Sequence, residues 1–379
     1  MALNRVEIDL SAVRHNFSEA KRLVKPVEDA PWRETAVFPV IKSDAYGHGL
    51  IPVARALQEQ GADGFFVSTM EEAVTLRQAG IRAPVILHLP ESKRDAFEIV
   101  EFNISPVVYS FELIDALSRE SQNRDRVAGI YIKVDTGMGR LGVDITDLPA
   151  ILSYVRGKEG IKVLGLMSHL SCADSSNDRD YTLSQLEHFN EAINIGRGLG
   201  FELPQNHIAN SAGLMAHPAA RMNLVRPGIM IYGAYPGKDM QGVAALRPVM
   251  TFKSKVIQVK KVPAGASISY GRRYVTPEAK TIAVVPVGYD AGYSRSISNR
   301  GEVLIRQKRA PVLGTVCMCL TMIDVSHIEG AAVDDEVVIF GRQGDQVISV
   351  DEVADRAGTI SYDLLCAVGS RNPRVTVNP

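Results

Sequence analysis

Lys42 closes the apolar run Val37-Phe38-Pro39-Val40-Ile41 and is followed by Tyr46, Gly47 and Gly49. A lysine at the open end of a buried strand is a flexible primary amine, partly desolvated, aimed into a cavity. That suits a Schiff-base lysine. Tyr46 is placed to donate a hydrogen bond to a phosphate, and the glycines let backbone approach a ligand closely. The same pattern suits an ordinary strand-end lysine in water, and this segment alone leaves both readings open. A second lysine, Lys133, lies inside Ile130-Tyr-Ile-Lys-Val134, where a buried charge is costly unless paired. A side chain snorkelling between layers is the bland reading there. The run continues through Asp135 and Gly137 to Arg140, and further chemistry-bearing residues follow at His169, Asn210-Ser211 and Arg226-Pro-Gly-Ile229.

The elements that must position these residues are short and regular. Strand-like runs are expected at Val37–Ile41, Gly64–Ser68, Pro84–His88, Ser105–Val108, Gly129–Val134, Val163–Ser168, Asn206–Ala209 and Asn223–Arg226. Helix-length amphipathic stretches lie between them, such as Ile51–Gln60, Met70–Ala79, Phe111–Glu120 and Tyr181–Leu199. Several stop at glycine (Gly61, Gly80, Gly200). This alternation predicts an α/β fold, a TIM-type (β/α)8 barrel, with Lys42, His169, Ser211 and Arg226 at the C-terminal ends of its strands, where barrel active sites form. Phosphate sites in barrels often follow strands seven and eight, which makes Ser211, Gly228 and the Ile229 backbone cradle candidates. After Tyr235-Pro-Gly237 the texture changes. Runs such as Thr251–Lys260, Thr281–Val287, Glu302–Ile305 and Val337–Phe340 alternate with Gly, Pro and Asp turns, and helical pattern is confined to about Ser349–Ala357. The expected organisation is a barrel domain over 1–240 and a C-terminal mainly-β domain over 241–379.

Taken in order, these motifs resemble those of the alanine racemases, and the resemblance covers nearly the whole chain. It implies a pyridoxal 5'-phosphate cofactor on Lys42, held by Tyr46, His169, Asn210, Ser211, Arg226, Gly228, Ile229 and Tyr362. Arg226 would meet the pyridine nitrogen, Arg140 the substrate carboxylate, and Lys133 matches a lysine that is carbamylated in many members. Racemisation needs a proton removed from one face of Cα and returned to the other. Lys42 supplies one face, and Tyr270 matches the family's opposed tyrosine base. A free tyrosine ionises only near pH ~10, so cations such as His169 and Arg226 would have to act on it. In the family this tyrosine, and the backbone matching Met318, reach into the partner's site. The implied partner is therefore a second copy, in a homodimer with shared sites. Residues 1–10 would pair with the β domain, and Tyr289 and Asp174 would line the outer channel. The implied activity interconverts L- and D-alanine and supplies D-alanine for peptidoglycan.

The match departs in three places. Cys319 stands where members usually carry Asp, Thr315 where some carry Arg, and Gly288-Tyr-Asp-Ala-Gly292 has its acid one place early. In an extended strand a one-residue shift turns a side chain to the other face. Asp290 is thus a candidate to compensate for the carboxylate absent at Cys319.

Composition bounds the rest. The 379 residues are 46% hydrophobic with net charge −1, which gives no electrostatic footprint for nucleic acid or an anionic membrane. No run approaches the roughly 18 apolar residues of a membrane span. The first ten residues carry charges and no apolar signal core, and the cysteines (Cys172, Cys317, Cys319, Cys366) are few and scattered. A cytoplasmic location with no disulfide framework and no metal site is expected. A broader amino-acid racemase shares this machinery. A barrel-fold decarboxylase is disfavoured by Arg140, Arg226 and Tyr270. A non-enzymatic pyridoxal-phosphate carrier would leave the C-terminal region without a purpose.

Overall fold

Three-residue runs such as Phe65-Phe66-Val67 and Val85-Ile86-Leu87 are buried at every position. That is the signature of parallel strands covered on both faces. The computed structural model describes residues 3–25, 35–91 and 94–378. After β1 (Arg5–Asp9), the chain forms β2 (Ala36–Val37), β3 (Phe65–Val67), β4 (Val85–Leu87), β5 (Ser105–Val108), β6 (Ala128–Lys133), β7 (Ile161–Met167) and β8 (Leu224–Val225). β3 to β7 make one parallel sheet, and β2 pairs in parallel with β8. A bridge between Val40 and Phe66 joins β2 to β3. The remaining gap is filled by residues 206–209. Met167 bridges to His207, and the Arg226 N–H donates to the Ala209 carbonyl at 3.0 Å. Eight segments thus close a (β/α)8 barrel. The expected seventh strand pairs with β7 through Gln205 N–H to Leu164 O, His207 N–H to Leu166 O and Ser168 N–H to His207 O. It meets the β8 side through Asn223 N–H to Asn206 O and Arg226 N–H to Ala209 O.

Helices Leu50–Glu59, Met70–Gln78, Phe111–Asn123 and Arg179–Gly198 cover the ring where the amphipathic pattern places them. At the second of these, Thr69 and Glu72 form a reciprocal capping box. Each satisfies a backbone N–H that the helix start leaves open.

The C-terminal region holds β9 (Met250–Lys255), β10 (Gln258–Val262), β11 (Ser267–Ile268), β12 (Tyr274–Val275), β13 (Lys280–Val285), β14 (Glu302–Ile305), β15 (Lys308–Leu313), β16 (Thr321–Asp324), β17 (Glu336–Gln343), β18 (Gln346–Ile348) and β19 (Arg374–Val377). The main sheet runs β10-β13-β16-β15-β14-β17-β9-β1-β19. The N-terminal strand therefore sits inside the C-terminal sheet, antiparallel to β9 and parallel to β19. One hydrophobic cluster runs through both regions, from Val6 and Ile8 to Phe252 and Phe340.

Three expectations need correction. The run expected over Thr251–Lys260 is two strands, because the chain changes partner at Val256-Ile257. The Val256 N–H donates to Asp335 O and the Ile257 N–H to Val284 O. A second helix, Ser361–Arg371, follows Val350–Ala357. Tyr289–Ala291 is a 3-10 turn closed by left-handed Gly292, so strand parity does not govern where Asp290 points.

Candidate active site

A cavity of about 310 Å³ opens at the C-terminal ends of the barrel strands. Its lining gathers Lys42, Tyr46, Arg140, His169, Asn210, Ser211, Arg226, Gly228, Ile229 and Tyr362, with Phe66, His88, Met167 and Cys366 among the remainder. The cations Lys42, Arg140 and Arg226 line it and no carboxylate does. Such a lining is electrostatically suited to an anionic ligand.

Lys42 leads into an unusual piece of backbone. Ser43, Asp44, Ala45 and Tyr46 all have φ near +54° and make a left-handed turn. For L-residues this conformation costs roughly 1–2 kcal/mol each. The surroundings hold it in place. The Glu72 carboxylate accepts the Ser43 N–H at 2.5 Å while also serving its own helix cap. Asp44 accepts the Leu50 N–H at 2.6 Å and pairs with Arg374 of β19, whose guanidinium also donates to Gly47 O. Gly47 has φ +80°, and a Cβ there would lie 2.5 Å from Leu365 O of helix Ser361–Arg371. The turn presents Tyr46 and fixes the direction in which Lys42 leaves. Burial lowers the Lys42 pKa, and Arg140 adds to the effect.

Arg226 is 2% exposed. Its guanidinium donates to Ser168 O at 2.8 Å, to Ile208 O at 3.3 Å and to Nδ1 of His207 and His169. Among the described residues it has no carboxylate partner. Burial pulls its pKa down to about 9, which still leaves it charged at neutral pH. Both histidines are held well below the ordinary imidazole range, by burial first and by Arg226 second. His169 is therefore neutral, and it does not serve as the cation expected to act on Tyr270. Lys133 is 2% exposed and does not line the cavity, and among the described residues its amine finds only Val134 O, at 3.1 Å. Burial, then Arg226, lowers its pKa to about 7.

The same lining carries a cluster of neutral donors. Ser211 Oγ accepts the Gly228 N–H at 2.9 Å and the Met230 N–H at 3.4 Å. Both lone pairs are then engaged and its own O–H is left to donate. Tyr46 and Tyr362 pack 5.9 Å apart, and neither hydroxyl has a hydrogen-bond partner among the described residues. A Cβ on Gly228 would come within 2.6 Å of the Tyr46 hydroxyl. Gly228 therefore keeps the cradle open. Asn210 caps the short helix Ser211–Ala216 through the Gly213 N–H.

Tyr270 and Met318 are not brought to this cavity. Tyr270 is 71% exposed and lines a separate surface depression on the β region with Ser269, Cys317 and Leu320; Met318 is 56% exposed. The Thr315 hydroxyl is buried and donates to Tyr270 O at 2.9 Å, so this departure anchors the loop that presents the tyrosine. Cys319 donates its thiol to Asp290 Oδ2 at 3.2 Å. Sequence reasoning assigned no role to His88, Phe66 or Cys366. The visible signal for His88 was a polar residue ending an apolar strand.

Residues 8–236 match the family model "Alanine racemase, N-terminal domain" and residues 249–376 match "Alanine racemase, C-terminal domain". The alanine racemase of Syntrophobacter fumaroxidans is 45% identical over 369 residues, covering 97% of this chain and 96% of its own. That of Geobacter sulfurreducens is 40% identical over 376 residues, covering 98% and 97%. The crystal structure of alanine racemase from D-cycloserine-producing Streptomyces lavendulae superimposes with a TM-score of 0.92 at 32% identity, over 100% of this chain and 98% of that one. With both family regions matched in order and relatives similar along nearly their full length, the chain belongs to the alanine racemase family.

Proposed function

We propose that the chain is a pyridoxal-phosphate-dependent alanine racemase that interconverts L- and D-alanine at sites shared between two subunits of a homodimer. The observation that carries this reading is the barrel-end cavity with its desolvated lysine, its arginines and no carboxylate. The donor set fits a phosphorylated pyridoxal. Ser211, Tyr46, Tyr362 and the backbone at Ile229 would take the phosphate, with Asn210 fixing the loop and Lys42 holding the group through its amine. Gly228, whose N–H goes to Ser211 Oγ or turns to the phosphate when it is bound, would keep the cradle open. Bound pyridoxal phosphate supplies an electron sink that acidifies the Cα–H bond of an amino acid.

The chain's own residues do the rest. Lys42, its pKa lowered, spends more time as a free amine and can take or return the Cα proton on one face. Arg226 would donate a hydrogen bond to the ring nitrogen and, with a pKa of about 9, would keep its own proton at neutral pH rather than pass it on. Neutral His169 packs beside Arg226 and accepts from it. Arg140 holds the substrate carboxylate, helped by the Met318 backbone of the partner subunit. Tyr270 of the partner subunit serves the opposite face. At a pKa of about 7, Lys133 carries a large neutral-amine fraction near neutral pH. It can add carbon dioxide, releasing one proton to give a carbamate, an anion suited to Arg140. We divide the chain into a barrel domain, 1–240, and a β domain, 241–379. The assigned role is D-alanine supply for peptidoglycan in the cytoplasm, and no helix among the described residues is long and apolar enough to cross a membrane.

The test is proton exchange of L-alanine in D2O with purified protein and added pyridoxal phosphate, paired with a chiral assay. Cα deuteration with D-alanine appearing supports the reading. Deuteration without inversion would show a single working base and sink the two-base assignment.

A further inference from the structure

His88 follows β4 and is a polar cavity residue left without a role. Its backbone is fixed by donation to Val67 O at 3.0 Å, and its ring tilts against Phe66 at 5.4 Å. The Arg226 guanidinium also lies against that phenyl ring, 5.4 Å from the ring centre. His88 is 7% exposed, lines the cavity, and has its Nδ1 sealed with no hydrogen-bond partner among the described residues. That leaves Nε2 as the nitrogen that reaches the cavity. A buried N–H without an acceptor is rarer than a buried lone pair without a donor. The ring proton therefore belongs on Nε2, and Nδ1 keeps the lone pair.

The surroundings sharpen this assignment. Burial lowers the imidazole pKa to about 3, and Arg226, Lys42, Arg140 and Lys133 all push the same way. The ring is neutral at any working pH. With cations around it and no carboxylate among the described residues of the lining, the acceptor this N–H favours most is an anionic oxygen. Position narrows the choice. His88 ends the third barrel segment, between Lys42 after the first and Arg140 after the fifth. The phosphate cradle of Ser211, Gly228 and Ile229 lies after the seventh and eighth.

We propose that His88 is a ligand-binding residue whose Nε2–H donates a hydrogen bond to an anionic oxygen held on the Arg140 side of the cavity. That oxygen is either the phenolic oxygen of the cofactor or the carboxylate of the amino acid. The naming of the anion rests on the function proposed above. A neutral donor adds a hydrogen bond there without adding a further positive charge to an already cationic cavity.

Nitrogen NMR of histidine-labelled protein as purified reads the tautomer directly, and this measurement does not depend on racemisation. Nε2–H is expected; an Nδ1–H or imidazolium signal from His88 overturns the proposal. His88→Leu and His88→Gln then separate the two sources. If the oxygen is phenolic, His88→Leu weakens pyridoxal phosphate binding to the apoprotein roughly ten- to hundredfold. It also shifts the visible absorbance of the bound cofactor, with KM for alanine little changed. If the oxygen is the substrate carboxylate, cofactor affinity and spectrum hold while KM rises by a similar factor. The Gln amide reaches where Nε2 does, so His88→Gln recovers most of either loss. A Leu variant that changes neither binding step, or a Gln variant no better than Leu, refutes the role of His88. Wild-type protein that binds no pyridoxal phosphate overturns the proposed function instead, while the tautomer still reports on His88.

Discussion

The Lys42 cavity and the Tyr270 loop are built in opposite ways. Around Lys42, four consecutive residues are held in left-handed backbone by Glu72, Arg374 and the close approach of helix Ser361–Arg371. Arg226 is anchored by three carbonyls and two imidazoles. Strained backbone of this kind persists only where its surroundings over-determine it, and it marks a site made ready before ligand arrives. Tyr270 also sits among residues with positive φ (Ser269, Gly271 and Arg272), and Thr315 anchors its carbonyl. Its ring, however, is exposed, and no hydrogen bond of its hydroxyl is found among the described residues. One chain thus carries a finished barrel cavity and, apart from it, an exposed tyrosine on a prepared backbone. In the proposed homodimer two such chains would complete each other.

The strongest way to break that comparison is to inactivate the halves separately. Lys42→Ala and Tyr270→Phe should each lower racemisation by about 10²–10⁴, the usual worth of a positioned acid or base. Their stabilities should diverge from their activities. An exposed Tyr270→Phe change lies within about 0.5 kcal/mol of wild type by urea unfolding. Mixing the two variants after dissociation is the decisive step. With shared sites, half of the randomly reassorted dimers regain one intact site, so activity recovers to about a quarter of wild type. A mixture that stays inactive would mean each chain houses its own complete site, and the comparison above would collapse.

How much of this was legible beforehand follows from what each residue advertises. The barrel strands were readable because parallel strands buried on both faces are plain apolar runs. Lys42, Arg140 and Arg226 were readable because charges that close or interrupt such runs stand out. The left-handed turn was not. Ser43, Asp44, Ala45 and Tyr46 include no glycine, and only Gly47 and Gly49 hint at positive φ. Its stability comes from Glu72 and Arg374, which are distant in sequence. Helix Ser361–Arg371 was missed because it begins after Ile360 with no side-chain cap and carries Gly369 inside it. That glycine serves packing, since a Cβ there would lie 2.0 Å from Gly47 O. His88 looked like the end of a strand, and only the cavity gives its ring nitrogens a meaning.

A smaller effect tests how finished the barrel half-site is without ligand. The Lys133 amine has a folded pKa near 7 against an ordinary value of 10.5. Below pH 7 both folded and unfolded chains carry the proton, and the buried charge weighs on the fold. Between about 7 and 10.5 the unfolded chain binds a proton that the folded chain does not. Stability should therefore rise with pH across that window, by at most about 1.4 kcal/mol per unit, and level off above it. Urea unfolding of apoprotein in carbon-dioxide-free buffer measures this slope, and Lys133→Met should flatten it. If the lysine is carbamylated in the native protein, an intact-mass measurement shows the added carboxyl, and stripping carbon dioxide changes stability at constant pH. A wild-type slope no steeper than that of Lys133→Met would show that the amine is not depressed, and the half-site would be less settled than its geometry suggests.

The smallest expected effect concerns the other half. Cys319 and Asp290 are both exposed, and their contact raises the thiol pKa, the Asp290 hydrogen bond contributing most. Because Tyr289–Ala291 is a tight turn, the early position of the acid does not turn it away from the loop of Met318. It sets the carboxylate against Cys319, next to the position where the resembling family usually carries one. Asp290→Ala should release the thiol and speed its alkylation modestly at mildly alkaline pH, since the thiolate is the reactive form. If Asp290 also stands in for that carboxylate beside a partner's site, the same variant alters selectivity between alanine and larger amino acids while kcat for alanine barely moves. Faster alkylation with unchanged selectivity would leave the pair as a surface contact. The exposed loop would then contribute its tyrosine and its methionine backbone to the partner, and no charge.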